Sequence, residues 1–153
     1  MISAGILLYR RRSEVIEVLL AHPGGPFWAK RDEGAWSVPK GEAGDGEDYL
    51  EVARREFEEE IGASVPCTIP RPLGSVKQRS GKIVYGWACE GDVDPARQHS
   101  NTFSMEWPPH SGRTREFPEV DRVEWFPLTT ARRKLNPAQA AFVDRLVELL
   151  SES

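Results

Sequence analysis

The sequence predicts an α/β fold in which a mixed β-sheet lies between helices. Three observations carry that reading. Short apolar runs rich in β-branched and aromatic residues lie on both sides of one internal helix, and another amphipathic helix ends the chain. The internal helix, within Gly41–Ala63, sets Leu50, Ala53, Phe57 and Ile61 on one stripe at about 100° per residue. A length of 153 residues suits one core, so one domain over residues 1–153 is expected.

The elements follow in order. Ser3–Tyr9 reads as a buried strand and Val15–Ala21 as a second, with Arg10–Glu14 as the turn of a hairpin. His22-Pro23-Gly24-Gly25-Pro26 stops the second strand, because this run cannot continue a ladder. Phe27–Glu33 is a loop, and Pro39 holds Val38 extended at the end of a short segment, Ala35–Pro39. Gly44–Glu47 opens the internal helix, with Asp45 or Glu47 expected to cap its free amides, and Gly62 closes it. Leu73–Arg79 and Lys82–Glu90 form strands about a Ser80-Gly81 turn. Gly91–Ser100 is a polar loop, Thr102–Trp107 a strand, Glu116–Asp121 a loop and Arg122–Phe126 a final strand. Thr129–Leu135 is a short helix. Asn136-Pro137 starts the last helix, whose apolar face holds Phe142, Val143, Leu146 and Leu149 or Leu150.

Composition narrows the function. A net charge of −4 argues against a general nucleic-acid-binding surface. It leaves a nucleotide substrate open, because a bound metal supplies local positive charge. The N-terminus is apolar and then basic, the reverse of a signal peptide, and no apolar run approaches membrane-spanning length. A cytoplasmic protein, monomeric or homodimeric, is expected. Cys67 and Cys89 match no metal or redox spacing and are expected as free buried thiols. His22, His99 and His110 show no ligand spacing and are expected at the surface or in turns.

The acidic helix carries the chemistry. Glu56, Glu59 and Glu60 share an arc of about 100° beside the apolar stripe, whereas Glu51 and Glu58 point to solvent. Three carboxylates so close repel one another unless a cation neutralises them. A plain charge run is usually a solvated face, so the spacing of the other residues decides. Gly41 is followed after five residues by Glu47, and after seven more by Arg55-Glu56-Phe57-Glu58-Glu59-Glu60-Ile61-Gly62-Ala63.

That stretch resembles the Nudix box, G-x5-E-x7-R-E-U-x-E-E-x-G-U, with U a bulky aliphatic residue. Every fixed position is filled; Phe57 is aromatic and Ala63 small where the family is usually aliphatic. The preceding Trp36–Lys40 also looks like the family's approach to the box. The resemblance implies a Nudix-type α/β/α sandwich and hydrolysis, dependent on Mg²⁺ or Mn²⁺, of a nucleoside diphosphate linked to another moiety. It implies Glu56, Glu59, Glu60 and the Gly41 carbonyl as metal ligands, and one of these glutamates or a loop carboxylate as general base. It also implies Arg55 as the residue orienting a box glutamate, and Glu47 as a structural or accessory metal-binding position. For the loop carboxylate Glu119 is the first choice, with Glu116 and Glu106 as alternatives.

Other candidates come from residue chemistry. Lys40, beside the box glycine, is the best phosphate-binding cation, ahead of Lys30, Lys77 and Arg79. Trp28 and Trp107 flank Pro/Gly-rich loops and are candidates for stacking on a nucleobase or for rim packing, while Trp36, Trp87 and Trp125 lie in strand patterns and are expected in the core. The Pro-Lys-Gly-Glu run is similar to that of dinucleoside polyphosphate hydrolases, with nucleoside triphosphate hydrolysis close behind. The competing class is a non-catalytic Nudix module that binds a nucleotide or ADP-ribose for regulation; sensors often lose a box glutamate, and this chain loses none. A purely structural acidic helix would not need Gly41, Glu47 and Gly62 at set spacing.

Overall fold

The computed structural model describes residues 1–152. Its main sheet is built on β1 (Ile2–Arg12), the longest strand. β1 pairs antiparallel with β2 (Val15–Pro23) and parallel with β5 (Ile83–Glu90), which makes the sheet mixed. β4 (Arg71–Lys77) extends it beyond β5, and β8 (Val120–Pro127) beyond β2. A three-residue strand, β3 (Lys40–Glu42), pairs with the start of β1. A separate two-stranded ribbon joins β6 (Thr102–Glu106) to β7 (Thr114–Pro118).

Alternation along β1 divides the core into two layers. Ala4, Ile6 and Leu8 face α1 (Tyr49–Ile61), where Val52, Ala53, Phe57 and Ile61 cover them. Leu7 and Tyr9 face α2 (Leu128–Lys134) and α3 (Ala140–Ser151), where Ala131, Phe142, Val143 and Leu146 cover them. The architecture is therefore the expected sandwich, α1 on one face and α2 with α3 on the other. The stripe on α1 is wider than expected: Val52 is buried while Leu50 is only partly so.

Several local expectations need correction. The hairpin turn is confined to Ser13-Glu14, because cross-strand pairing carries β1 through Arg12. Neither Asp45 nor Glu47 caps α1; its N-cap is Asp48, without a side-chain bond, and Glu47 instead accepts from the Gly44 amide. Gly62 does close the helix in the left-handed conformation, φ 78°, its amide bonded to the Glu58 carbonyl. Glu116 lies in β7, not in a loop, and Glu119 is the one residue between β7 and β8. β2 continues through His22, which pairs opposite Arg122 and is buried. Its two ring nitrogens face the Asp121 carboxylate at 2.8 Å and the Arg31 carbonyl at 2.7 Å. Cys67 and Cys89 are not free: they are joined in a disulfide, with Cα atoms 5.7 Å apart. The loop after α1 packs back on β5, a proximity that spacing along the chain does not reveal. Trp36 is a core residue, and Trp87 and Trp125 are partly buried against the α1 layer.

One clamp sets the approach to the box. Gln139, fully buried, ends a 3₁₀ turn, Pro137–Gln139, ahead of α3. Its carbonyl oxygen accepts from the Val38 amide at 2.9 Å, and its amide donates to Ser37 Oγ and to Gln78 Oε1. Trp36 and Leu135 add a backbone bridge beside it. The substitution Gln139→Leu leaves the buried Val38 amide without an acceptor, so a loss of about 2–3 kcal/mol is expected. The urea midpoint measures it; an unchanged midpoint would show that the clamp carries no stability.

Candidate active site

Three segments meet at the box. β3 brings Lys40 and Gly41 beside the C-terminal half of α1, and the short link between β7 and β8 brings Glu119. Glu60 is only 9% exposed, and its Oε2 accepts from the Lys40 amide at 2.9 Å. Gly41 lies directly on Glu56: a Cβ at position 41 would stand 2.0 Å from Glu56 Cδ. Only glycine permits that approach. Arg55 donates to Glu47 Oε2 at 2.9 Å and stands 3.9 Å from Glu56 Oε1, so it ties the box's first glutamate to its second. Glu59 is exposed, at the solvent edge of the cluster. Glu51 and Glu58 are exposed as expected.

A cavity of about 130 Å³ opens over this cluster, lined by Ser37, Val38, Lys40, Glu60 and Glu119, among others. A second cavity of about 220 Å³ shares Pro23, Ser37 and Lys40 with it and adds Trp28, Trp36, Gln78, Lys82, Asn136 and Gln139. Lys40 stands between the two. The structure thus brings together Glu56, Glu60, Gly41, Lys40, Arg55 and Glu119, with Glu59 at their edge and Trp28 in the adjoining cavity. It does not bring Trp107 there: its ring packs edge-on against Phe27, with centroids 6.0 Å apart. Glu106 accepts from the His110 and Gly112 amides within its own ribbon, and Glu116 lies 3.5 Å from Thr102 Oγ1. Lys30, Lys77 and Arg79 line neither cavity. Lys82 and Gln139 do line the second and were not singled out from the sequence; only the fold makes them neighbours of Lys40.

The charges in this cluster are strained. Burial pushes the Glu60 carboxyl up to about 8, more than the Lys40 ammonium and amide pull it back. Burial also raises Glu56, and the Glu59, Glu119 and Glu47 charges add to this against Arg55. Lys40 is lowered by burial and then by Lys82. Among the described residues, no group of three or more His, Cys, Asp or Glu side chains is arranged to hold a metal ion.

Comparison with known proteins now decides the family. The NUDIX domain model matches residues 1–146. The chain belongs to the Nudix hydrolase family. None of the curated proteins matches it by sequence. Solved Nudix structures match its fold along nearly its whole length. An Ap4A hydrolase of C. elegans, solved as a binary complex, superposes with a TM-score of 0.70 at 21% identity, covering 99% of this chain and 98% of that one. The NUDIX domain of Shewanella oneidensis NrtR, solved with ADP ribose, gives 0.65 at 14% identity, covering 98% and 88%. The Nudix hydrolase RenU of M. smegmatis gives 0.61 at 21%, covering 98% and 85%. The acidic helix is therefore the Nudix helix, and β3 with α1 is the Nudix box in three dimensions. Among the described residues no helix is long and apolar enough to cross a membrane.

The buried Nudix glutamate sets a pH dependence. Glu60 holds its proton more tightly folded than unfolded, where its ordinary value is 4.5. Its favourable contribution is complete below that value and is lost as pH rises through about 8. Lys40, shifted down by burial, acts in the opposite sense between its folded value and 10.5. The metal-free chain is therefore expected to lose on the order of a few kcal/mol between about pH 5 and pH 8. Were these oxygens to hold Mg²⁺, the ion would compete with protons for them, and added Mg²⁺ would stabilise the chain more at pH 8 than at pH 6. Denaturant titrations in chelator and in Mg²⁺ measure both; a metal-free midpoint that rises over that range contradicts the account.

Proposed function

We propose that this Nudix hydrolase cleaves a phosphoanhydride in a nucleoside diphosphate-linked substrate, with dinucleoside polyphosphates as the preferred class, and depends on Mg²⁺ or Mn²⁺. The observation that carries the reading is a small cavity lined by Glu60, Glu119 and Lys40, with Glu56 packed on Gly41 beside it, where burial and mutual repulsion hold carboxylates toward their neutral forms. Such a cluster is stable in its ionised form only beside a cation. The donors are all oxygens, the chemistry that hard divalent ions select. Glu56, Glu59, Glu60 and the Gly41 carbonyl would hold the ion, the side chains rotating to meet it. Once bound, it would polarise the anhydride and acidify the attacking water.

The chain's own residues supply the rest. Arg55 fixes Glu56 from the side away from Gly41 and keeps Glu47 in the same ion-pair line. Lys40 stands where the two cavities meet and pairs with a phosphate oxygen of the bound substrate. Glu119, carried on a different segment from the helix, is the candidate base that takes the water's proton as the water oxygen bonds to phosphorus and the bridging P–O bond breaks. The leaving phosphate carries away the bridging oxygen's electron pair.

The test is a substrate panel of dinucleoside polyphosphates, nucleoside triphosphates, ADP-ribose, NADH and 5′-capped or triphosphorylated RNA, followed by product identity. Fastest turnover on a dinucleoside polyphosphate is expected, and none in excess chelator. Full turnover in chelator would sink the metal-dependent reading; preference for another member of the panel would sink the substrate class.

A further inference from the structure

The ribbon β6–β7 lies outside the main sheet and grows from the catalytic cavity. Its base is Asn101 and Glu119, joined by the Glu119 amide donating to the Asn101 carbonyl at 2.8 Å. Antiparallel register sorts its side chains. Phe103 stands opposite Phe117 and Met105 opposite Arg115, and the Trp107 amide donates to the Arg113 carbonyl at the far end. Opposed residues share a face. One face therefore carries Phe103, Met105, Trp107, Arg113, Arg115 and Phe117, and the other carries Glu106 and Glu116. Both arginines are on the aromatic face and both glutamates are on the other, in a chain whose net charge is −4.

The loop after β2 packs on the aromatic face. A Cβ at Gly25 would stand 2.8 Å from Phe103 Cζ, and Phe27 meets Trp107 edge-on. That loop leaves two large rings open, Phe27 at 63% and Trp28 at 38% exposure. The Arg31 guanidinium lies over the Trp28 ring at 5.4 Å, and that of Arg115 over Phe117 at 5.7 Å. Rings and guanidinium groups thus run outward from the Lys40 cavity, which Trp28 lines, to the tip of the ribbon. Stacked bases take aromatic faces, and phosphates take arginine.

We infer that this face binds the second nucleoside phosphate of a dinucleoside polyphosphate, its base on the Trp28, Phe27 and Trp107 rings and its phosphate on Arg113 and Arg115. The inference rests on the reaction proposed above and extends it to the departing half of the substrate. A nucleoside triphosphate lacks the second nucleoside phosphate, so Arg113 and Arg115 have no group of it to hold.

Kinetics with a dinucleoside tetraphosphate and with a nucleoside triphosphate test the assignment. The double variant R113A/R115A is expected to raise KM about tenfold for the first, with kcat unchanged, and to leave both constants unchanged for the second. R113K/R115K, which keeps the charges, is expected to recover part of the loss. Equal changes on both substrates, or none on either, overturn the inference and leave the hydrolase reading standing. So does a wild-type chain that cleaves only triphosphates, or a larger loss on capped RNA than on the tetraphosphate. A dimer in sedimentation that R113A/R115A dissociates gives the face to a second copy and also overturns it. If the wild type cleaves none of these, the reaction reading fails, and binding decides the face alone. Titrating the chain with AMP in chelator should then shift the indole N–H resonances of Trp28 and Trp107 and spare Trp87, which lines neither cavity; no shift at Trp28 and Trp107 overturns the inference.

Discussion

Gly41→Ala is expected to cut turnover by about two to three orders of magnitude while the chain stays folded. A methyl group there would sit 2.0 Å from Glu56 Cδ and 2.2 Å from its Oε2, well inside contact distance. The atoms in the way are the far end of a flexible side chain, so the carboxylate moves and the backbone stays. Gly41 shows no positive φ, and the substitution therefore imposes no backbone strain. The cost falls on the placement of one carboxylate. A displacement of about 1 Å of a catalytic group costs on the order of 10²-fold, and a lost metal ligand more. A fall in kcat of roughly 10²–10³-fold is expected, with the thermal midpoint little changed. Wild-type turnover in this variant would mean that Glu56 is not part of the reacting centre.

Glu59→Gln is expected to cut kcat by roughly 10³-fold, about 4 kcal/mol of transition-state stabilisation. The same change removes a negative charge that raises Glu56. Metal-free stability should therefore hold or rise as activity falls, and Mg²⁺ should protect the variant less than it protects the wild type. This opposition separates a functional carboxylate from a structural one. A variant equally active, or one that is inactive because it is unfolded, contradicts the role given to Glu59. Glu58, one position earlier and exposed to solvent, is the natural control.

Legibility differed between these residues for physical reasons. The glutamate arc, the Gly62 cap and the α1 seam are consequences of a 3.6-residue repeat and can be read from a single stretch. Strands β1, β2, β4 and β5 announced themselves through apolar runs bounded by turn residues. No repeat places Glu119 in the late chain, and the fold sets it on the cavity with Glu60. Long-range pairing accounts for the misses. The Cys67–Cys89 bond, the burial of His22 against Asp121, and the second strand of the ribbon each depend on segments far apart in sequence or on a ladder with few apolar residues. Gln139 carries no signal of its own in a helical run; its importance lies in Val38, a hundred residues earlier in the chain.

The Gln139 clamp orders events during synthesis. The whole Nudix box, through Ala63, leaves the ribosome before the residue that holds its approach segment has been made. At about 5–20 residues per second, the interval between Ala63 and Gln139 lasts several seconds. Through that time the Val38 amide and the Ser37 hydroxyl lack their Gln139 partner, while β1 and Ala21 already hold the backbone on either side. A chain cut short before residue 139 carries every charged residue of the box but leaves the Val38 amide without its buried acceptor. The strand that closes the sheet, β8, and the residue that holds the approach to the box are made within about twenty residues of each other, so sheet and clamp are completed together.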